Sequence, residues 1–370
     1  MIYLDCAATK PMTKKAKKAY LKASWGNPSS LHSMGKEAYE DLKKAKERIA
    51  DCIGCKKDEI YFTSGGTESN NWAIEILLKN CTGNIGVSKI EHPATTNKVK
   101  RDGKSRVVGL NVNKDGIVNL IEGLEGLSIC LVNNEIGTEQ KLDWKKVKIV
   151  HLDAIQALGN IEINVKKMGV DLLSGSAHKF GGPKGVGFLY VKESLEIPEL
   201  ILGGGQQNGK RSGTENVPGI VAMSVALEEA CKGIKRKRKK ILKLREYFID
   251  GLMGLGWDFK INGIGEGILS VSFKNLDAQG ILFELDRKGI CCSAGSACHS
   301  NSVEISKVLK EIGLSEEYAR GTIRFSFTEN LKKKEIDYVL KCLKKIIKEA
   351  KDYLYRVEYY DPVQKKLYME

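Results

Sequence analysis

The chain has 370 residues, 42% of them hydrophobic and 29% charged, which excludes the disordered, collagenous and disulfide-scaffold classes. No apolar run reaches the roughly 18 residues of a membrane span, and an N-terminus with Asp5 and no long apolar core lacks a signal-peptide pattern, so a cytoplasmic protein with no membrane partner is expected. Lys and Arg number 60 against 46 Asp and Glu, a net charge of +14 that is compatible with acidic partners. The excess is spread along Lys-rich helical stretches. Its one dense run, Lys235-Arg236-Lys237-Arg238-Lys239-Lys240, lies among Ile234, Ile241, Leu242, Leu244 and Phe248. It reads as the solvated face of a helix or, alternatively, as a docking patch for RNA or an acidic protein. No nucleic-acid-binding motif accompanies it, so direct nucleic acid binding is not expected. The 10 cysteines are expected as thiols. Cys52-x-x-Cys55 has no second pair to complete a zinc site, and no metal is expected.

In chain order, residues 13–21 and 35–53 carry apolar side chains at helical spacing with charged faces. β-rich runs follow at 59–63, 84–89, 128–133, 149–152, 172–174 and 187–191, with a helix expected over 68–79. Short apolar strands alternating with helices define an α/β domain with a largely parallel sheet. From about residue 241 a long helix leads into a strand at 267–273, a helix at 279–288, a strand at 289–292, a helix at 303–312, a strand at 322–326 and a helix at 334–351. That order reads as a smaller α+β domain. The tyrosine-rich tail 350–370 follows no recognisable pattern.

Five groups along this frame can do chemistry. In Thr63-Ser64-Gly65-Gly66-Thr67-Glu68-Ser69-Asn70, glycines turn a strand into a helix, and amide N–H groups beside a hydroxyl suit a phosphate; a plain strand–turn–helix junction has similar composition. Asp153, in His151-Leu152-Asp153-Ala154, ends a buried strand at the edge where α/β sheets bind ligands, although a helix cap would sit there too. Lys179, in Ser176-Ala177-His178-Lys179 before Gly181-Gly182, suits an amine that forms a Schiff base with a carbonyl. Cys298 stands in Ser293-Ala294-Gly295-Ser296-Ala297-Cys298-His299-Ser300, where small residues give a loop that exposes one thiol. Arg324, in Ile323-Arg324-Phe325-Ser326, is a charge inside a strand and needs a partner, either a substrate carboxylate or a structural ion pair.

The order of these groups resembles that of pyridoxal-phosphate enzymes. In detail the chain is similar to the class I cysteine desulfurases of the NifS/IscS type, in the class-V aminotransferase superfamily of fold type I. The matching residues are Tyr3-Leu4-Asp5 with Ala7-Ala8-Thr9, Gly26-Asn27-Pro28-Ser29-Ser30 with His32, Gly65 to Asn70, Glu91-His92, Asn133-Asn134-Glu135-Ile136-Gly137, Asp153-Ala154 with Gln156, Ser176 to Lys179, Arg211-Ser212-Gly213-Thr214 and Gly295 to Cys298. They run from about residue 2 to about residue 349. The resemblance implies a large cofactor-binding domain over 14–240, with a mostly parallel central sheet flanked by helices. A smaller α+β domain from 1–13 and 241–370 would carry the cysteine loop.

The resemblance also implies roles. Lys179 would hold pyridoxal 5'-phosphate through its amine, and Asp153 would keep the pyridine nitrogen protonated. Gln156 would bond the ring hydroxyl, and His92 would stack on the ring and shuttle protons. Gly66, Thr67, Ser176 and His178 would hold the phosphate, with Thr214 reaching it from the second subunit of a homodimer. Asn134 would position cofactor and substrate, and Arg324 would take the carboxylate of L-cysteine. Cys298 would attack the substrate sulfur, leaving L-alanine and a persulfide for an acceptor protein of iron–sulfur assembly or tRNA thiolation; with such a partner its thiolate could also ligate an iron–sulfur cluster.

Some positions depart from the family pattern. Only residues 135–150 separate Asn134 from His151, too few for the helix usual there, and 98–107 is also brief. Cys6 and Lys10 replace a usual Asn and Thr. Two other readings stand beside the desulfurase. One is another pyridoxal-phosphate lyase or aminotransferase, which would not need Cys298; the other is a non-catalytic basic scaffold, against which Lys179, Asp153 and His92 argue.

Overall fold

The computed structural model describes residues 1–294, 305–353, 357–361 and 366–369. Its residues gather into two units, one of Ala7–Asn134 and Thr138–Arg236, the other of Met1–Cys6, Glu135–Gly137 and Lys237–Glu370.

The larger unit is built on seven strands in the order Ile60–Thr63, Gly187–Val191, Leu172–Ser176, Ile149–Asp153, Leu124–Cys130, Asn84–Ser88, Val107–Leu110. Only Gly187–Val191 runs antiparallel to its neighbours; the other four pairings are parallel. Successive side chains point to opposite faces. Tyr61, Ile149, Leu172 and Leu189 therefore pack on one side with Trp72, Ile76 and Leu77 of the helix Gly66–Asn80. Phe62, Val150, Leu173 and Phe188 pack on the other with the helices Lys14–Lys22, Ser33–Ile53 and Val217–Cys231. Burying each large side chain contributes roughly 1.5–3 kcal/mol, so Trp72, Ile76 and Leu77 together hold the middle and second half of Gly66–Asn80 against the sheet.

The smaller unit is an antiparallel sheet in the order Ser293–Ala294, Thr322–Ser326, Ile268–Phe273, Phe259–Asn262. Val271, Phe273, Ile323 and Phe325 pack with Phe248 and Leu252 of the helix Ile234–Met253, Ile281 and Leu285 of Ala278–Arg287, and Val339 and Leu343 of Lys333–Tyr353. The chain start joins this core through Leu4. Ile2–Tyr3 pairs in parallel with Ile290–Cys291.

Several elements differ from the sequence reading. The strand expected over 128–133 is Leu124–Cys130, because the Asn133 N–H closes a turn onto the Thr138 carbonyl at 3.0 Å and Gly137, with φ 72°, supplies the reversal. The brief stretch 98–107 spans the end of a helix, Pro93–Asp102, and the start of the strand Val107–Leu110. Residues 141–148 hold no helix; instead Trp144 is buried and its Nε1–H donates to the Met168 carbonyl at 2.7 Å. Val217–Cys231 shows no helical period because residues 217–227 are apolar but for Ser224 and bury nine side chains or glycines on all faces. Its Asn216 cap and early Pro218 were the readable signal. The patternless tail contains two paired antiparallel strands, Val357–Asp361 and Lys366–Met369. Within the basic run, Lys235 pairs with Glu162 at 3.5 Å and Arg238 with Glu266 at 2.8 Å.

Candidate active site

In the larger unit the strand ends carry the chemistry. Ile60–Thr63 turns into Gly66–Asn80 through Gly65, whose φ of 154° favours glycine. A side chain at Gly65 would project into open space beside the Ser176 hydroxyl, whereas one at Gly66 would collide with Ile155. The turn is pinned by Thr63 Oγ1 to Ser69 Oγ at 2.8 Å and by the Ser69 hydroxyl donating to the Phe188 carbonyl at 3.0 Å. Glu68 takes a bidentate pair from Arg211, at 2.7 and 3.1 Å. Burial works against the Glu68 carboxylate, but Arg211 and Ser64 outweigh it and hold its pKa below the usual range. This contact anchors the loop that carries Thr214. Thr67 and Thr214 are both exposed.

Asp153 ends its strand fully buried. Isolated in a protein interior, a carboxylate costs several kcal/mol; here the Ile155 N–H donates to Oδ1 at 3.0 Å and the Asn70 side-chain amide to Oδ2 at 2.6 Å. Burial raises its pKa, while these two donors, His92 and Lys179 oppose the rise. His92 caps the helix Pro93–Asp102, its Nδ1 accepting the Ala94 N–H at 3.1 Å, so the neutral ring carries its proton on Nε2. Burial, reinforced by Lys179, pulls the His92 pKa down against the opposing pull of Asp153. Asp153, His92 and Lys179 thus lie within electrostatic reach of one another.

Lys179 follows Leu172–Ser176 by one tight turn, Ala177–Lys179. Its ammonium donates to the Ala7 carbonyl at 2.6 Å, and the Gln156 amide donates to the same oxygen at 2.7 Å. His178 Nδ1 lies 3.1 Å from the Thr9 hydroxyl. Burial first, then Lys179 and Lys184, push its pKa down to about 4, so the ring is neutral at pH 7. Asn134 is half-buried at the turn beyond Leu124–Cys130.

Arg324 belongs to the smaller unit, in the strand Thr322–Ser326, its side chain 3% exposed with Nη2 2.9 Å from Asp5 Oδ1. Cys298 lies outside the described residues. Among the described residues no three His, Cys, Asp or Glu side chains converge as a metal site. Cys52 hydrogen-bonds Cys231, which together with burial pushes its pKa up.

In the sequence Asn70 stands only as the last member of the Thr63 to Asn70 motif. Its task, holding the Asp153 carboxylate, was detectable: it sits one turn beyond Gly66, on the same helix face. The Ala7 carbonyl, which gathers Lys179 and Gln156, left no local signal.

These groups fit a phosphorylated pyridine aldehyde. The open space at Gly65, beside a helix N-terminus and the Ser176 hydroxyl, suits its phosphate. Asp153 offers a buried carboxylate for a ring nitrogen and Lys179 an amine for an aldehyde. Fold and site together define a pyridoxal-phosphate-dependent enzyme of fold type I.

The family model for aminotransferase class-V matches residues 2–339. A cysteine desulfurase IscS of Dictyoglomus turgidum is 40% identical over 375 residues, covering 95% of each chain. Among solved structures, a NifS-like protein superposes with a TM-score of 0.85 at 33% identity, over 94% of this chain and 99% of that one. The structure of SspA in complex with cysteine superposes with a TM-score of 0.73 at 30% identity, over 88% and 99%. The chain belongs to the class-V aminotransferase family and, within it, to the pyridoxal-phosphate-dependent cysteine desulfurases of the NifS/IscS type.

Proposed function

We propose that Lys179, Asp153, His92, Arg324 and Cys298 carry the desulfuration of L-cysteine. The observation that supports this most is the buried Asp153 carboxylate, held by Asn70 and the Ile155 amide, with half-buried His92 and Lys179 within electrostatic reach. When bound, pyridoxal 5'-phosphate supplies a protonated pyridine ring that takes up the electron pair left by loss of the substrate α-proton. Asp153, held ionised by Asn70 and the Ile155 amide, keeps the proton on that ring nitrogen. Lys179 would anchor the cofactor through its amine and would carry the substrate α-proton. His92, whose Nδ1 accepts the Ala94 N–H, keeps its Nε2–H free to serve the cofactor and would help shuttle protons. Gln156 orients the ring hydroxyl, and Gly66, Thr67, Ser176 and His178 receive the phosphate. Asn134 and Arg324 orient the substrate, with Arg324 on its carboxylate.

The Cys298 thiolate attacks the substrate sulfur. A sulfur–sulfur bond forms, the carbon–sulfur bond breaks, and its electron pair stays with carbon, which is protonated and leaves as L-alanine. The persulfide on Cys298 passes to an acceptor protein of iron–sulfur assembly or tRNA thiolation. With a thiol reductant present, wild type is expected to release alanine and sulfide in equal amounts. Cys298→Ala is expected to lose both by about a hundredfold or more while keeping the cofactor. Full activity in that variant would overturn the assignment and point to a lyase or aminotransferase.

A homodimer is part of the same reading. Leu21, Trp25 and Leu31 are 84%, 80% and 89% exposed within one short segment, an apolar surface that suits a second copy, and exposed Thr214 is then available to that copy's phosphate site. Sedimentation is expected to give a dimer for wild type and a monomer with weakened cofactor binding for Trp25→Glu with Leu21→Glu. A wild-type monomer with full cofactor occupancy would refute the dimer. No helix among the described residues is long and apolar enough to cross a membrane, and the described cysteines are all free thiols.

A further inference from the structure

Glu91 takes part in none of these steps, yet it is a carboxyl group only 5% exposed, one residue before His92. Its Oε1 accepts the Cys130 N–H at 2.8 Å, and its Oε2 is buried with no hydrogen-bond partner among the described residues. Cys130 stands in register with Asp153 on the neighbouring parallel strand, and the Leu131 N–H donates to the Asp153 carbonyl at 2.9 Å. The two carboxyls therefore flank one pair of strand ends. Glu91 is faced by Ser88 from the strand Asn84–Ser88, by Cys130 from Leu124–Cys130 and by Asp153 from Ile149–Asp153. Two carboxyls in such a site do not both ionise.

The donors decide which one keeps the proton. Asp153 accepts from Ile155 and from Asn70 and faces Lys179 and His92. Glu91 has one backbone donor, at Cys130, and only the Cys130 thiol and Ser88 hydroxyl beside it; among the described residues no cation faces it, its Oε2 has no partner within hydrogen-bond geometry, and the nearby charge of Asp153 opposes its ionisation. We propose that Glu91 is a positioning residue that works as a neutral carboxylic acid: it fixes the end of Leu124–Cys130 beside Asp153 and leaves the negative charge on Asp153. This rests on the reading of Asp153 as the partner of the ring nitrogen. Burial, opposed by the Cys130 N–H and by the Cys130 and Ser88 side chains and assisted by Asp153, pushes the Glu91 pKa up to about 8, which agrees with the lack of a cation beside it among the described residues.

Infrared spectroscopy of the holoenzyme in heavy water at pH 7 tests this. A neutral-carboxyl C=O band is expected in wild type; it should shift when glutamate, but not aspartate, carries a carbon-13 side chain, and vanish in Glu91→Gln. The labelling keeps the test intact should the variant fold poorly. Cofactor affinity is expected to fall about tenfold in Glu91→Ala, where the Cys130 amide loses its acceptor, and to recover in Glu91→Gln. Absence of the band, its persistence in Glu91→Gln, or its response to aspartate labelling would overturn the proposal. Unchanged L-cysteine turnover in Asp153→Asn would instead sink the reading of Asp153 and leave the proton on Glu91 where the infrared band places it.

Discussion

Replacing Lys179 with alanine is expected to lower L-cysteine desulfuration by about a thousandfold or more, since one side chain serves both as covalent anchor and as proton carrier. The fold is expected to survive. The Lys179 ammonium donates to the Ala7 carbonyl, but the Gln156 amide donates to that same oxygen at 2.7 Å, so truncation leaves no orphaned buried acceptor. The turn itself is held by main-chain bonds, with the Phe180 and Gly182 N–H groups both donating to the Ala177 carbonyl, at 3.2 and 2.8 Å. Borohydride treatment of wild type should fix the cofactor on the peptide that contains residue 179, whereas the variant should release it on denaturation. An active variant that retains its cofactor through another lysine would remove Lys179 from this role.

Arg324→Ala is expected to raise KM for L-cysteine about a hundredfold, the loss of a charge-assisted pair to the substrate carboxylate, with the cofactor still bound. It is also expected to destabilise the smaller unit. Arg324 is nearly inaccessible and its partner Asp5 only 18% exposed, and removing one member of a buried pair typically costs about 3–5 kcal/mol. The two effects separate in Arg324→Lys, which keeps the charge and loses the planar fork: stability should largely return while KM stays high. An unchanged KM in a folded Arg324→Ala protein would assign Arg324 to a purely structural pair with Asp5.

Much of the site was readable without coordinates. The runs that become Ile149–Asp153 and Leu172–Ser176 are buried on both faces, and their Ile149-Val150 and Leu172-Leu173 pairs mark them as interior strands. Asp153 and Lys179 follow from where those segments stop. The glycines at 65 and 66 announced a turn that only a residue without a side chain can make. What failed did so for local reasons. Val217–Cys231 is apolar over residues 217–227 but for Ser224 and so carries no period, and Leu124–Cys130 was displaced because Asn133 is drawn into a turn by a residue five positions on.

The sequence by itself determined the family and most of the strand–helix order, and it named the candidate reactive groups. Each depends on residue type, spacing and turn chemistry within about ten neighbours. The tertiary structure alone decided that the Ala7 carbonyl gathers Lys179 and Gln156, side chains 172 and 149 residues away. It also decided that Asn70 serves Asp153 and that the Glu91 and Asp153 carboxyls share one buried pair of strand ends. Such pairings arise from how the sheet is ordered, and proton positions from burial and from the number of donors each carboxyl meets, which become defined only when distant segments share one interior.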